Sequence, residues 1–219
     1  MTISHARGFH GLTAVVAIAA LVLQLVLVVN GGRVLDEQEV PGLGIRVARY
    51  LAYFTIQSNL LVAVATGLLA RDPRRDGSWF RVVRLASVVG ITVTGLVHFV
   101  LLRPLLDLDG ADYVADKLLH MVVPALAILG WAVLGPRPRV DLRSFWWVLA
   151  WPLAWLAETL VVGGATDWYP YPFLDHREDG WDHVVLASVG ITVLFLLLFA
   201  LFAQVDRRAR PAPPGSVEP

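Results

Sequence analysis

The sequence predicts an all-α fold: a polytopic membrane bundle of six transmembrane helices. Three observations predict it. Of 219 residues, 57% are hydrophobic and only 16% are charged, where a soluble domain carries roughly 25% charged residues. Mean hydropathy is +0.64. Apolar runs recur that are each about 20 residues long, enough to cross a hydrocarbon core of about 30 Å. In lipid such runs must be helical, because an open strand would leave backbone groups unpaired. They fill residues 1–205, with no room for a soluble domain. The tail, 206–219, is rich in Arg and Pro and is expected to be disordered.

The first span is expected from Phe9 to Val29. Its apolar run is too long for a cleaved signal and ends in Asn30-Gly31-Gly32, so it reads as a retained helix. The others are expected over Arg46 to Ala70, Val82 to Leu102, Asp116 to Leu134, Ser144 to Val162 and His183 to Ala203. Arginine placement orients them. One set of flanks holds twelve basic residues (Arg7; Arg71 to Arg84; Arg137 to Arg143; Arg207 to Arg210), and the alternate set holds six. The arginine-rich side is therefore expected in the cytoplasm, with both termini there and the cell membrane as location. The opposite loops are acidic, with Asp36, Glu37, Glu39, Asp107, Asp109, Asp112 and Asp116 among their residues.

Ionisable residues inside a span are costly and commonly face the bundle interior. His98, His120 and Glu158 stand out, together with the polar run Thr55-Ile56-Gln57-Ser58-Asn59. At 1.5 Å per residue His120 lies about 6 Å below the outer boundary, His98 and Glu158 about 8 Å, and Thr55 about 13 Å. Four helices thus send polar groups into the outer half of the membrane. The competing reading for Gln57, Ser58 and Asn59 is packing between helices, and His98 could simply pair with Glu158. His5, His10, His176 and His183 are expected at the surface.

The last outer loop reads Asp167-Trp168-Tyr169-Pro170-Tyr171-Pro172-Phe173. Its prolines cannot extend a helix. Trp168, Tyr169 and Tyr171 are expected either in an aromatic belt at the interface or as a stiff lid over the polar pocket. No cysteine is present, which excludes disulfides, thiolate metal sites and cysteine nucleophiles. A P-loop, a dinucleotide fingerprint, a zinc motif and a nucleic-acid patch are absent from the sequence. No cofactor, metal or nucleic-acid partner is therefore expected, and membrane lipids are the expected surroundings.

The runs Tyr53-Phe54-Thr55-Ile56-Gln57-Ser58-Asn59, Leu119-His120-Met121-Val122-Val123-Pro124 and Trp168-Tyr169-Pro170-Tyr171-Pro172-Phe173 resemble bacterial integral membrane proteins of the "Pr-six-Pr" family. More distantly, the layout resembles the eukaryotic androgen-induced six-pass membrane hydrolases, which cleave fatty acid esters of hydroxy fatty acids. That resemblance implies Thr55 as nucleophile, His120 as its base and a lipid-like substrate. Departures exist: the threonine is followed by Ile56-Gln57-Ser58-Asn59, and the proline after the histidine lies one position closer. Asn59 or Gln57 is the expected oxyanion donor.

Two other readings compete. Leu85-Ala86-Ser87-Val88-Val89-Gly90-Ile91-Thr92-Val93 nearly repeats as Leu186-Ala187-Ser188-Val189-Gly190-Ile191-Thr192-Val193. An inverted three-plus-three repeat of this kind is a feature of small-molecule or proton-coupled transporters. The other reading is a non-catalytic membrane scaffold.

Overall fold

A computed structural model describes residues 3–31, 40–135, 140 and 142–208. The acidic residues Asp36, Glu37 and Glu39, the basic residues Arg33, Arg137, Arg139 and Arg210, and the tail from residue 209 onward lie outside the described residues. The elements are α1 (Ile3–Val29), α2 (Leu43–Ala52), α3 (Phe54–Arg71), α4 (Ser78–Val97), α5 (Gly110–Lys117), α6 (Val123–Leu129), α7 (Leu142–Thr166) and α8 (His176–Arg208). Among the described residues, six helices, some formed by joined elements, are long and apolar enough to cross a membrane. This is the pattern of a multi-pass membrane protein.

The second span differs from the expected single helix. It breaks at Tyr53, whose ψ of 127° is extended, and the membrane-length segment starts only at Phe54. α2 before it is a short amphipathic helix. The last helix runs from His176 through Arg208, beyond the expected span of His183 to Ala203, with one interruption at Gly180. The φ of +80° there is a conformation that glycine tolerates without a steric cost.

α1 packs on α3, α3 on α4, and α4 also meets α6, α7 and α8. The centre of the bundle is therefore α4, whose Leu85, Val88, Val89 and Ile91 are fully buried. The repeated string on α8 sits elsewhere: Leu186, Val189 and Val193 are exposed. The two near-repeats occupy unlike surroundings, one central and one peripheral.

Gly90 lets α7 close on α4. A Cβ there would lie 2.7 Å from Cζ3 of Trp151. That indole cannot easily yield, because Nε1 donates to Gln57 Oε1 at 2.9 Å and the ring stacks on Phe54 at 4.5 Å. Overpacking of this kind costs about 1–3 kcal/mol, against about 1 kcal/mol that alanine gains over glycine in a helix. Gly90→Ala is expected to lower the unfolding midpoint in detergent. A midpoint at or above that of the unsubstituted protein would contradict this packing.

Candidate functional site

Two prolines and one glycine shape the site. α4 runs on as a π-helical turn, His98–Leu102, followed by a tight turn at Arg103–Leu105. α5 joins α6 through a second π-helical turn, Leu118–Val122. Pro124 has no N–H for the carbonyl of His120, four residues earlier, and Pro104 stands in the same relation to Val100. Widened turns are a common response to such an interruption. Gly95 then allows close approach, since a Cβ there would lie 3.2 Å from the His120 carbonyl. His98 and His120 consequently stack, with ring centroids 3.8 Å apart and planes 10° from parallel.

Asp116 lies against both rings, with no hydrogen bond to His98 Nε2. Its carboxylate Oδ1 lies 3.0 Å from His120 Nδ1 and 3.2 Å from His98 Nε2, while Oδ2 accepts from Lys117 Nζ at 2.7 Å. His120 Nδ1 is also 3.0 Å from the Asp116 carbonyl. A carbonyl only accepts, so Nδ1 carries the imidazole proton, an assignment made from the hydrogen-bond pattern. The other nitrogen, Nε2, is then a free lone pair, and it lies 3.3 Å from Thr55 Oγ1. A carboxylate, an imidazole and a hydroxyl thus form one chain, the arrangement that activates a hydroxyl nucleophile.

The break at Tyr53 sets the level of Thr55. Counting an unbroken helix from Arg46 buries this residue about 7 Å deeper than His120. With the span starting at Phe54, Thr55 instead occupies the first turn of α3, where backbone N–H groups lack partners within the helix. The Thr55 N–H donates to the Tyr171 hydroxyl at 3.2 Å, and that hydroxyl also lies 3.3 Å from Thr55 Oγ1. Burial pushes the Tyr171 phenol above its ordinary range, which keeps its proton on as a donor.

The loop after α7 reaches the site through this residue. Tyr171 stacks on Phe173 at 5.2 Å and meets Tyr53 edge-on. Arg177 closes the loop, donating to both oxygens of Asp175 (2.9 and 2.6 Å) and to the Asp167 carbonyl at 2.6 Å. The guanidinium holds the Asp175 carboxyl below its ordinary value. Ionised Asp175 therefore favours the folded loop above the ordinary carboxylate range, and that contribution fades only as pH falls through the lowered value.

Two cavities meet at Thr55, Leu102 and Tyr171. One is apolar and runs between α4, α7 and α8 past Val93, Leu156, Ile191 and Phe195. The other is lined by His98, Asp116 and His120 with Gln24, Tyr50 and Asp112.

The remaining expected site residues take other places. Ser58 donates to the Phe54 carbonyl and accepts from Thr94. Asn59 donates to the carbonyls of Thr55 and Leu119, tying α3 to the His120 turn. Gln57 donates to the Leu51 carbonyl and accepts from Trp151. The amide donors of Asn59 and Gln57 are thus engaged with backbone, and neither bonds Thr55 Oγ1. Glu158 does not join the histidines: it is exposed and lines a separate cavity with Arg49, Thr159 and Trp168. Trp168 lies under the Arg49 guanidinium and against Tyr53, and the Tyr169 hydroxyl meets His176 Nδ1 at 3.1 Å. His10, expected at the surface, is buried, with Nε2 3.1 Å from the Gly135 carbonyl.

His98, Asp116 and His120 lie close enough together to hold a cation by distance alone. Their orientation opposes it. An imidazole binds zinc in its ring plane at about 2.0–2.1 Å, and two rings stacked face to face direct their lone pairs side by side rather than at one point. Lys117 adds a positive charge on the same carboxylate.

In the sequence Asp116 reads as a boundary acid, and the signal for its part here is its spacing of four residues before His120, which places both on one helix face. No family model, curated protein or solved structure matches the chain.

Proposed function

We propose that this protein hydrolyses lipid-like esters within the membrane, near the outer leaflet, with Thr55 as nucleophile, His120 as base and Asp116 orienting the imidazole. The observation that carries this reading is the continuous chain from Asp116 Oδ1 through His120 (3.0 Å) to Thr55 Oγ1 (3.3 Å). A threonine hydroxyl is a poor nucleophile until a base takes its proton, and neutral imidazole suits that task. As the Thr55 oxygen bonds to the acyl carbon, its proton moves to His120 Nε2. The imidazolium then protonates the departing alcohol. Water, deprotonated by the same nitrogen, releases the acid and restores Thr55. The Thr55 N–H and the Tyr171 O–H are the donors nearest the developing oxyanion, at the positive end of α3.

The apolar cavity fits an acyl chain, and the polar one beside the histidines fits the alcohol side. The transporter reading finds less support, because Glu158 stands apart from the histidines and the repeated strings occupy unlike environments.

The test is ester turnover by purified protein in detergent, using acyl esters of increasing chain length. Thr55→Ala and His120→Ala are each expected to abolish it, to below about 1/1000 of the original rate. Unchanged turnover in either variant would remove that residue from the chemistry. No turnover by the unsubstituted protein across the ester series would favour a scaffold.

A further inference from the structure

Arg84 lies in the second turn of α4, six residues and about 9 Å beyond Ser78. This is the end of the bundle far from Thr55, where Arg7, Arg71, Arg74, Arg75 and Arg81 gather. Arg84 is 1% exposed, and its Nε, Nη1 and Nη2 have no hydrogen-bond partner among the described residues. A guanidinium cannot shed its charge, and a buried charge left unpaired is strongly unfavourable. Its neighbour does not offset it. His10 of α1, also 1% exposed, lies within electrostatic reach of Arg84. The Gly135 carbonyl accepts from His10 Nε2, which leaves Nδ1 buried and without a partner among the described residues. The unmet donors of this region are therefore the three guanidinium nitrogens of Arg84, since His10 Nδ1 is a lone pair.

We infer that Arg84 binds a phosphate oxyanion, and that the phosphate is a membrane lipid headgroup. The planar guanidinium fork matches two phosphate oxygens, and its charge is neutralised without a proton being moved. Depth favours the lipid source. The headgroup layer is about 5–7 Å thick on each side of the hydrocarbon core, so a site about 9 Å from the helix start lies at its lower edge. The inference is independent of the hydrolase reading, since Arg84 and Thr55 are at opposite ends of the bundle.

The experiment titrates delipidated full-length protein in maltoside detergent and follows the unfolding midpoint. The probes are phosphatidylglycerol, inorganic phosphate and the phosphate-free lipid monoolein. Phosphatidylglycerol is expected to raise the midpoint saturably, with apparent affinity about ten- to hundredfold weaker in Arg84→Gln and unchanged in Arg74→Gln, where the arginine is exposed. A response to inorganic phosphate alone keeps the oxyanion site and assigns it to a free anion. An equal response to monoolein, a response retained by Arg84→Gln, or no response to either phosphate source overturns the inference. Should Arg84→Gln fail to fold, native mass spectrometry of the unsubstituted protein decides. Retained phospholipid that inorganic phosphate or phosphatidylglycerol displaces supports the site, and its absence overturns it.

Discussion

Replacing Asp116 by Asn is expected to lower ester turnover by about 10³-fold while the unfolding midpoint stays near its original value. On the proposed mechanism the carboxylate would do two things for His120: hold the proton on Nδ1, and stabilise the imidazolium formed when Nε2 takes the Thr55 proton. An asparagine amide keeps the shape but loses the charge, and its NH₂ can face Nδ1 and force the proton onto Nε2. An Nε2–H cannot accept from Thr55. In triads of this kind the same substitution costs about 10⁴-fold. The loss is smaller here because the Asp116 carbonyl also lies 3.0 Å from Nδ1 and holds the tautomer on its own. What remains is mostly the missing charge beside the imidazolium. At about 1.4 kcal/mol per factor of ten, 10³-fold corresponds to about 4 kcal/mol of lost transition-state stabilisation. Turnover within tenfold of the unsubstituted protein would show that Asp116 does not serve His120. A collapsed midpoint would instead point to the cost of leaving Lys117 without its partner.

The membrane helices were legible in the sequence because hydropathy over a span integrates about 20 residues, so no single position decides the outcome. The interruption at Tyr53 was not. Its neighbours are Ala52 and Phe54, with no proline or glycine to mark a break, and the extended conformation is held by tertiary contacts with the loop after α7. That hidden break is why depth counting separated Thr55 from His120. Asp116 was hidden differently. Hydropathy assigns an aspartate at a span boundary to water, yet this one is 6% exposed because two histidines and a lysine surround its carboxylate. Glu158 shows the converse error. Sharing a helix face with Trp151 and Trp155 does not carry it inward: those indoles donate to Gln57 and to the Ala52 carbonyl, while Glu158 opens onto a cavity beside Arg49. Spacing finds residues that share a face, and only packing decides which face is the interior.

Tyr171→Phe separates the lid's structural role from a chemical one. The ring contacts with Tyr53, Trp155 and Phe173 survive in phenylalanine, so both cavities keep their walls. Only the hydroxyl goes, and with it the acceptor for the Thr55 N–H and a group 3.3 Å from Thr55 Oγ1. A buried N–H left without a partner costs about 1–3 kcal/mol, so the unfolding midpoint should fall. If the hydroxyl also donates to the oxyanion, kcat drops by about 10²–10³-fold, the usual effect of losing one such donor. KM should change little, because substrate binding in the cavities does not involve a developing charge. The expected result is thus a modest loss of stability with a large loss of kcat, both measured on the folded fraction. A lowered midpoint with kcat intact would make Tyr171 a structural clasp alone. A raised kcat would mean that its hydroxyl occupies the place of the substrate carbonyl, and that the Thr55 N–H serves as a donor only once the hydroxyl has moved aside.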